Sequence, residues 1–255
     1  MALGISLLKE LCEFMFEKNT VLYFMFHVFG FIATMIYSVI IFKKFKLPLL
    51  KTVLFVLTVF PIAYAFMWFQ FWVESGFKVW GNNIVRTFIW VPFIGLPFAK
   101  IYKIDYHKAI EFLAPIPCII HGVAHFGCVF EGCCYGFPSN PGIWNPETGD
   151  YRFPIQFIEA SVAIVIVILT ILRIKKYEFS GKSKAYALML IMFGSTRFIL
   201  EFFRDNEKLF MHVSSLALHA LLMFALGLFF FFVPFDKIKE EREKRKLEEE
   251  KYGKK

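Results

Sequence analysis

The chain has 255 residues, of which 58% are apolar and 20% are aromatic. Soluble domains hold about 45–50% apolar residues, so this composition excludes a soluble globule, much of whose surface would face water. It also excludes a disordered chain, which needs low hydrophobicity. The net charge is +8. In a membrane protein such charge reports on the orientation of the loops rather than on a nucleic-acid partner.

Seven apolar stretches have about the 20 residues that a helix needs to cross a bilayer. We therefore predict an all-α polytopic membrane protein with seven transmembrane helices, over residues 22–42, 48–72, 84–101, 109–131, 155–173, 184–204 and 213–235. Residues 2–16 are predicted to form an amphipathic helix on the outer membrane surface. The membrane domain then covers 1–235, and a charged cytoplasmic tail covers 236–255.

The connecting segments alternate in charge. Most of the 29 lysines and arginines lie in one set, formed by 43–51, 100–108, 173–184 and the tail from 236. The other set, 73–83, 132–154 and 205–212, holds only Lys78, Arg152 and Lys208. Basic loops stay in the cytoplasm. The pattern thus predicts an N-terminus outside, a cytoplasmic C-terminus and a long external loop over 132–154.

Three charged residues lie near the end of the sixth stretch. Arg197, Glu201 and Arg204 are spaced four and three apart, which predicts that they share one helix face. An embedded charge costs at least about 2.5–3.5 kcal/mol, so such residues are functional candidates. One interpretation is an ion pair that locks two helices, with a snorkelling arginine. The other is a guanidinium cluster that faces an anion such as phosphate.

The external ends of the fourth and fifth stretches are also polar. His121 and His125 are one helical turn apart, and Cys128 lies three residues further on, in a run rich in glycine. The fifth stretch opens with Gln156 and Glu159, again about one turn apart. Because the predicted orientation puts these ends in the same half of the membrane, we expect a polar cavity that opens toward the outer leaflet.

The cysteines and histidines include metal-ligand types, but no metal is expected. The spacing of His121, His125, Cys128, Cys133 and Cys134 matches no standard zinc pattern. A redox role for the adjacent pair Cys133–Cys134 is one alternative, and plain packing of small residues is another. Five cysteines in total, unevenly spaced, argue against a disulfide framework.

Several segments resemble the prolipoprotein diacylglyceryl transferase family. The most characteristic are AHFGCVFEGCCYG (124–136), RFPIQFIE (152–159) and GSTRFILEFFRDNE (194–207). KIDYHKAIEFLAP (103–115) fits the family's connection between the third and fourth spans. VLYFMFHVFGF (21–31) fits its first span and places Tyr23 on a tyrosine that family members use. The likeness covers most of the chain at low identity, and the GCCYG form resembles a divergent branch.

The resemblance implies seven spans with the N-terminus outside, in agreement with the charge pattern. It implies transfer of a diacylglyceryl group from phosphatidylglycerol to the lipobox cysteine of a prolipoprotein, at the outer face of the bacterial cytoplasmic membrane. The products are a thioether-linked lipid and glycerol phosphate. The implied partners are phosphatidylglycerol, the prolipoprotein signal-peptide region and the membrane, with no cofactor, no metal and no nucleic acid.

The resemblance also assigns roles to the polar residues. Arg197 and Arg204 hold the phosphate, and Glu201 orients Arg197. Gln156 and Glu159 shape the site, and Gly136 allows close backbone approach. The candidate catalytic residues are His125, Arg197, Glu201 and Tyr23, and the candidate phosphatidylglycerol-binding residues are Arg204, Arg86, Gly136, Gln156, Glu159 and Cys128.

The chain departs from the family pattern at three places. His125 stands where the family has an arginine, and Cys128 where it has an asparagine. Val85, Arg86 and Thr87 replace a His-Gly-Gly whose histidine is proposed in catalysis. We expect His125 to supply the missing base or phosphate donor. Arg86 either restores the lost positive charge or snorkels to the membrane surface.

Three alternatives to an active transferase of this kind stay open. A related lipid transferase with another acceptor is one. A non-catalytic protein that binds lipid or signal peptides in the same cavity is the second. A channel or transporter is the third, and the lack of internal repeats argues against it.

Overall fold

The computed structural model describes residues 17–78, 84–205, 214–233 and residue 244, and this part of the chain is mostly helical. The α-helices are α1 (Thr20–Ile41), α2 (Leu49–Glu74), α3 (Ile84–Tyr102), α4 (Tyr106–Leu113), α5 (Ile116–Glu131), α6 (Ile155–Lys176), α7 (Ala185–Glu201) and α8 (Ser215–Phe232). A 3₁₀ turn, Phe42–Phe45, extends α1, and two strands, β1 (Pro138–Asn145) and β2 (Asp150–Arg152), lie between α5 and α6.

Polar side chains set the starts of three of these helices. Asn19 accepts from the backbone N–H of Leu22 and caps α1, and Asp105 and Ser214 cap α4 and α8 in the same way. Such caps satisfy backbone donors that a helix leaves unpaired. At the other end of α5, Gly132 adopts a left-handed conformation with φ 76° and stops the helix.

Helix covers most of each of the seven apolar stretches, and in the described part of the chain five helical segments are long and apolar enough to cross a membrane. Those five are Thr20–Phe45, Leu49–Glu74, Tyr106–Glu131, Ile155–Lys176 and Ser215–Phe232. Within the predicted fourth stretch, α4 gives way to α5 at Ala114 and Pro115, because proline has no N–H to continue the ladder. The predicted helix over 2–16 and nearly all of the tail over 236–255 lie outside the described residues.

Glycine residues allow the backbones of neighbouring helices to approach closely. A Cβ at Gly194 of α7 would lie 2.7 Å from the backbone nitrogen of Phe224 in α8, and one at Gly227 would lie 2.7 Å from that of Ile191. Gly127 of α5 meets the backbone of Tyr23 in α1 in the same way. Small residues let helices approach where lipid supplies no hydrophobic drive. The outward faces are apolar, as a membrane requires; on α1 they include Val21, Phe24, Val28, Phe31 and Met35.

The segment 132–154, predicted as a loop, contains an antiparallel hairpin. Trp144 pairs with Tyr151, and Asn145 pairs with Asp150. Arg152 binds Asp150 and Asp205 at 2.6 Å each, which ties the hairpin to the end of α7. The hydrogen bond from Arg152 lowers the pKa of Asp150, and the same bond raises the pKa of Arg152. The hairpin is therefore fixed over the ends of α5, α6 and α7.

Candidate functional site

Glu159, on the second turn of α6, is the centre of a buried charge cluster. Its side chain is 4% exposed, and its two carboxylate oxygens face two arginines. Nη1 of Arg197 in α7 donates to Oε1, and Nη2 of Arg204 donates to Oε2 at 2.7 Å. One carboxylate from α6 thus holds both guanidiniums that the sequence placed in the sixth stretch.

Two histidines of α5 reach the same carboxylate. Nε2 of His125 lies 2.7 Å from Oε2 of Glu159, and Nε2 of His121 lies 3.5 Å from it. The two rings are tilted against each other with centroids 3.9 Å apart. Nδ1 of His125 contacts the carbonyl oxygen of His121 at 3.1 Å. Because a carbonyl only accepts, this contact fixes the proton of His125 on Nδ1 and directs Nε2 into the cluster.

Glu201 closes the cluster on the α7 side. Its Oε2 lies 3.2 Å from Nη2 of Arg197 and 3.7 Å from Nε of Arg204. Its Oε1 accepts from the hydroxyl of Ser214, the capping residue of α8, at 2.8 Å. The predicted Arg197–Glu201 pair is therefore present. The prediction that Arg204 shares their helix face was wrong in one respect: α7 ends at Glu201, and Arg204 lies in the turn that follows.

The charges of this cluster nearly balance. Arg197 and Arg204 are 6% and 4% exposed, and Glu159 and Glu201 are 4% exposed each. Two guanidiniums offset two carboxylates, so a protonated histidine leaves the cluster with one net positive charge. Burial of any one of these ions alone would cost too much desolvation free energy, and the ions can be buried because they pair with one another. A site of this kind changes its net charge with a single proton.

Free hydrogen-bond donors remain inside the cluster. Among the described residues, Nε of Arg197 and Nε of Arg204 are buried and have no hydrogen-bond partner. A buried donor without a partner costs about 1–3 kcal/mol. An anion that accepts from both atoms would recover that free energy.

The backbone around Gln156 and Gly136 frames the cluster. Nε2 of Gln156 donates to the carbonyl of Cys133 at 2.9 Å, and Gly136 forms an isolated β-bridge with Arg204. A Cβ at Gly136 would lie 2.8 Å from the carbonyl oxygen of Phe153 and 2.9 Å from that of Phe203. These contacts hold Arg204 in register with the hairpin segment, as the predicted close approach at Gly136 requires.

The cysteines lie beside His125. Ligand atoms of His125, Cys128 and Cys134 are within 4.8 Å of one another, and so are those of His121, His125 and Glu159. These two overlapping groups are the ones of suitable type and distance for a metal ion in the described residues. The backbone of Tyr23 in α1 is packed against Gly127 of α5, the residue before Cys128.

Arg86 is placed in a different cluster from Arg197 and Arg204. Its Nη2 donates to Glu74 at 2.6 Å and to the hydroxyl of Ser215 at 3.1 Å. His219 lies 3.1 Å from Glu74 and contacts Gln70 at 2.6 Å. Arg86 is 2% exposed, so the expectation that it snorkels to the membrane surface was wrong. The ion pair with Glu74, which the sequence analysis missed, is what holds Arg86 inside.

The adjacent serines at the start of α8 join the two clusters. Ser214 donates to Glu201, and Ser215 donates to Glu74. The signal for this second cluster was present in the sequence, since Glu74 ends the apolar run of α2. The predicted second stretch stopped at residue 72 and left it out.

One small space lies against the Glu159 cluster, and a larger one lies at the segment that follows α5. A crevice between α6 and α7 of about 10 Å³, room for about one water molecule, is lined by Glu159, Val162, Phe193, Thr196 and Arg197. A larger open cavity of about 370 Å³ is lined by Lys18, Glu131, Gly132, Cys133, Cys134, Tyr135, Glu147 and Asp205. Two of the residues that line the larger cavity are the adjacent cysteines Cys133 and Cys134.

A family model of prolipoprotein diacylglyceryl transferase matches residues 1–233, nearly the whole chain. The chain belongs to the prolipoprotein diacylglyceryl transferase family. The resemblance found in the sequence is confirmed, and membership implies a multi-pass membrane protein that acts in lipoprotein biosynthesis by prolipoprotein diacylglyceryl transfer. A comparison with curated proteins finds no match.

Proposed function

We propose that the chain transfers the diacylglyceryl group of phosphatidylglycerol to the lipobox cysteine thiol of prolipoproteins. The observation that carries this proposal is the meeting of Arg197 and Arg204 with Glu159 and His125 in one buried cluster. Guanidiniums bind phosphate oxygens through paired donors, and an imidazole accepts a thiol proton near neutral pH. The two needs of the reaction, a base and a phosphate site, are thus adjacent.

The proposed chemistry needs one proton transfer and one displacement. His125 takes the proton of the lipobox thiol, because the thiolate is the nucleophile. The sulfur forms a bond to the glyceryl carbon of the donor, and the bond from that carbon to the phosphate oxygen breaks. The electron pair leaves with glycerol phosphate. The imidazolium then stays beside Glu159, and the cluster holds its one net positive charge as the phosphate gains negative charge.

The arginines stabilise the leaving phosphate through the donors that the protein leaves free. Within the Glu159 cluster, Nε of Arg197 and Nε of Arg204 are buried and have no hydrogen-bond partner among the described residues. Glu159 and Glu201 orient the guanidiniums and so are positioning residues. One preorganised donor of this kind contributes about 10²–10³-fold in rate. Arg86, held by Glu74, is proposed to support the fold of the site rather than to contact the phosphate.

The membrane topology that fits this chemistry has seven spans, an external N-terminus and a cytoplasmic C-terminus. The five long apolar helices together with α3 and α7 supply the spans. The basic segments 43–51, 100–108 and 173–184 then lie on the cytoplasmic side. The Glu159 cluster and the segment 132–154 lie toward the outer face of the bacterial cytoplasmic membrane, where prolipoproteins emerge.

The test is transfer by the purified chain. The protein is incubated with phosphatidylglycerol and a lipobox peptide, and the peptide mass is measured. We expect a gain of one diacylglyceryl unit, none with a peptide whose cysteine is serine, and slower transfer from phosphatidylethanolamine. No gain while phosphatidylglycerol still binds would contradict the proposal and favour a non-catalytic relative. A gain on other acceptors alone would favour the related lipid transferase.

The base is tested by matched histidine variants. We expect His125→Ala to reduce transfer as severely as Arg197→Ala, by about 10²-fold or more. His107→Ala, on α4 and against Tyr106, is the control and is expected to keep the parent rate. A near-normal rate in His125→Ala would exclude His125 as the base and direct attention to His121.

A further inference from the structure

Cysteine side chains that the proposed reaction does not use converge on His125. Cys128 lies one turn beyond His125 on α5, and Cys134 follows the glycine that ends this helix. A ligand atom from each of the three residues is within 4.8 Å of the other two. Bonds of about 2.3 Å to sulfur and 2.0–2.1 Å to nitrogen, in a tetrahedron, need ligand separations of about 3.5–3.8 Å. The ligand atoms would therefore have to move closer by at most about 1.3 Å to hold the ion.

His125 is prepared as a ligand. Its Nδ1 is engaged by the carbonyl of His121, so the lone pair is on Nε2 when the ring is neutral. Nε2 is buried and has no aligned hydrogen bond among the described residues, although Glu159 lies 2.7 Å away. The residue as a whole is 7% exposed. A carbonyl that accepts from the ring nitrogen not bound to the metal, and so fixes the tautomer, is the usual partner of a metal-binding imidazole.

The cavity of about 370 Å³ gives a cation a route to the cysteines. Its lining includes Cys134 together with three acidic residues, Glu131, Glu147 and Asp205, against one basic residue, Lys18. Oε2 of Glu131 is buried and has no hydrogen-bond partner in the part of the chain described. Lys18 pairs with Glu147 and Arg152 pairs with Asp205, so Glu131 is the lining carboxylate that remains to attract a cation from solution.

We propose that His125, Cys128 and Cys134 form a site for a thiophilic metal ion such as Zn²⁺, and that its occupation inhibits the transferase. Two thiolates and one imidazole make a soft, borderline donor set that suits Zn²⁺ and excludes Mg²⁺ or Ca²⁺. Cys134 also lines the open cavity, from which a water molecule would supply the fourth ligand. The two thiols release their protons to solvent on binding. The inhibition rests on the proposed function, because the metal occupies the nitrogen that the thiol proton needs.

Binding is tested without any activity measurement. The full chain in detergent, with its thiols reduced, is titrated with Co²⁺, and the sulfur-to-cobalt charge-transfer absorbance is recorded, followed by competition with Zn²⁺. We expect the band in the parent protein and at least about 100-fold weaker binding in Cys134→Ser and Cys128→Ser. Cys118→Ala is the matched control, because Cys118 is a buried cysteine about two turns before His125 on the same helix. No band in the parent, or an unchanged band in both serine variants, would overturn the metal site.

Inhibition is tested on the same proteins in the peptide transfer assay. Zn²⁺ is expected to abolish transfer by the parent and by Cys118→Ala, to spare Cys134→Ser, and to be reversed by a chelator. A parent protein that binds Co²⁺ but transfers at an unchanged rate with Zn²⁺ would overturn the inhibition. If transfer is absent with and without metal while the cobalt band is present, the proposed function and the inhibition both fail and the metal site stands.

Discussion

Glu159→Gln is the substitution that tests the charge cluster most severely. The change keeps the shape and one hydrogen-bonding oxygen but removes the negative charge between Arg197 and Arg204. Both guanidiniums are buried at 6% and 4% exposure, and Glu201 alone then faces them. Loss of one partner of a buried ion pair costs about 3–5 kcal/mol, because it leaves a charge uncompensated. We expect the variant to lose that much free energy of unfolding.

The assay is unfolding in mixed detergent micelles, with added SDS as denaturant and helical circular dichroism as the signal. Glu147→Gln is the matched control. This substitution also removes an ion pair, because Glu147 lies 2.6 Å from Lys18, but the side chains of Glu147 and Lys18 are 53% and 47% exposed. Exposed pairs contribute little, so the control is expected to unfold as the parent does. Equal unfolding of the two variants, or a loss in Glu159→Gln below about 1 kcal/mol, would refute the reasoning.

Two further perturbations probe the frame of the site. Gly136→Ala is expected to destabilise the protein and slow transfer, since its Cβ would meet backbone oxygens at 2.8–2.9 Å. In the control Gly95→Ala the nearest atom is a side-chain methyl at 3.1 Å, which can move aside. Equal stability and equal transfer rates in the two variants would contradict this prediction. The hairpin is expected to loosen on acidification, because Arg152 lowers the pKa of Asp150 in the folded protein. The ionised Asp150 side chain stabilises the folded hairpin at pH values above its unfolded pKa of about 3.9. That stabilisation is lost as the pH falls through the lower pKa of the folded state. Trp144 fluorescence measures this, and Asp150→Asn is expected to remove that pH dependence.

The helices were predictable because a bilayer demands long apolar runs. Each of the seven predicted stretches is helical, with ends displaced by at most a few residues. The break at Pro115 was missed although Pro115 and Pro117 are visible in the sequence. Apolar composition alone does not reveal such a break. The hairpin over 138–152 was missed because its polar, proline-rich sequence is typical of a loop.

Only those contacts of the site that join residues close together in the sequence could be predicted. The Arg197–Glu201 pair follows from four-residue spacing on one helix. The central position of Glu159 does not, since its contacts to Arg197 and Arg204 join residues 38 and 45 positions apart. The partnership of Arg86 with Glu74 likewise depends on how α2, α3 and α8 pack. Which buried charges meet depends on how the helices pack, and that packing could not be predicted from the residue pattern of a single sequence.

The central claim is that the buried cluster around Glu159 is the transfer site, and one comparison tests it most directly. Arg197→Gln and Arg152→Gln each remove one guanidinium, the first from the buried cluster and the second from the hairpin over it. The measurement is the rate of diacylglyceryl gain by a lipobox peptide with phosphatidylglycerol as donor. We predict a loss of at least about 10²-fold in Arg197→Gln and a near-parent rate in Arg152→Gln. Equal rates in the two variants would contradict the account.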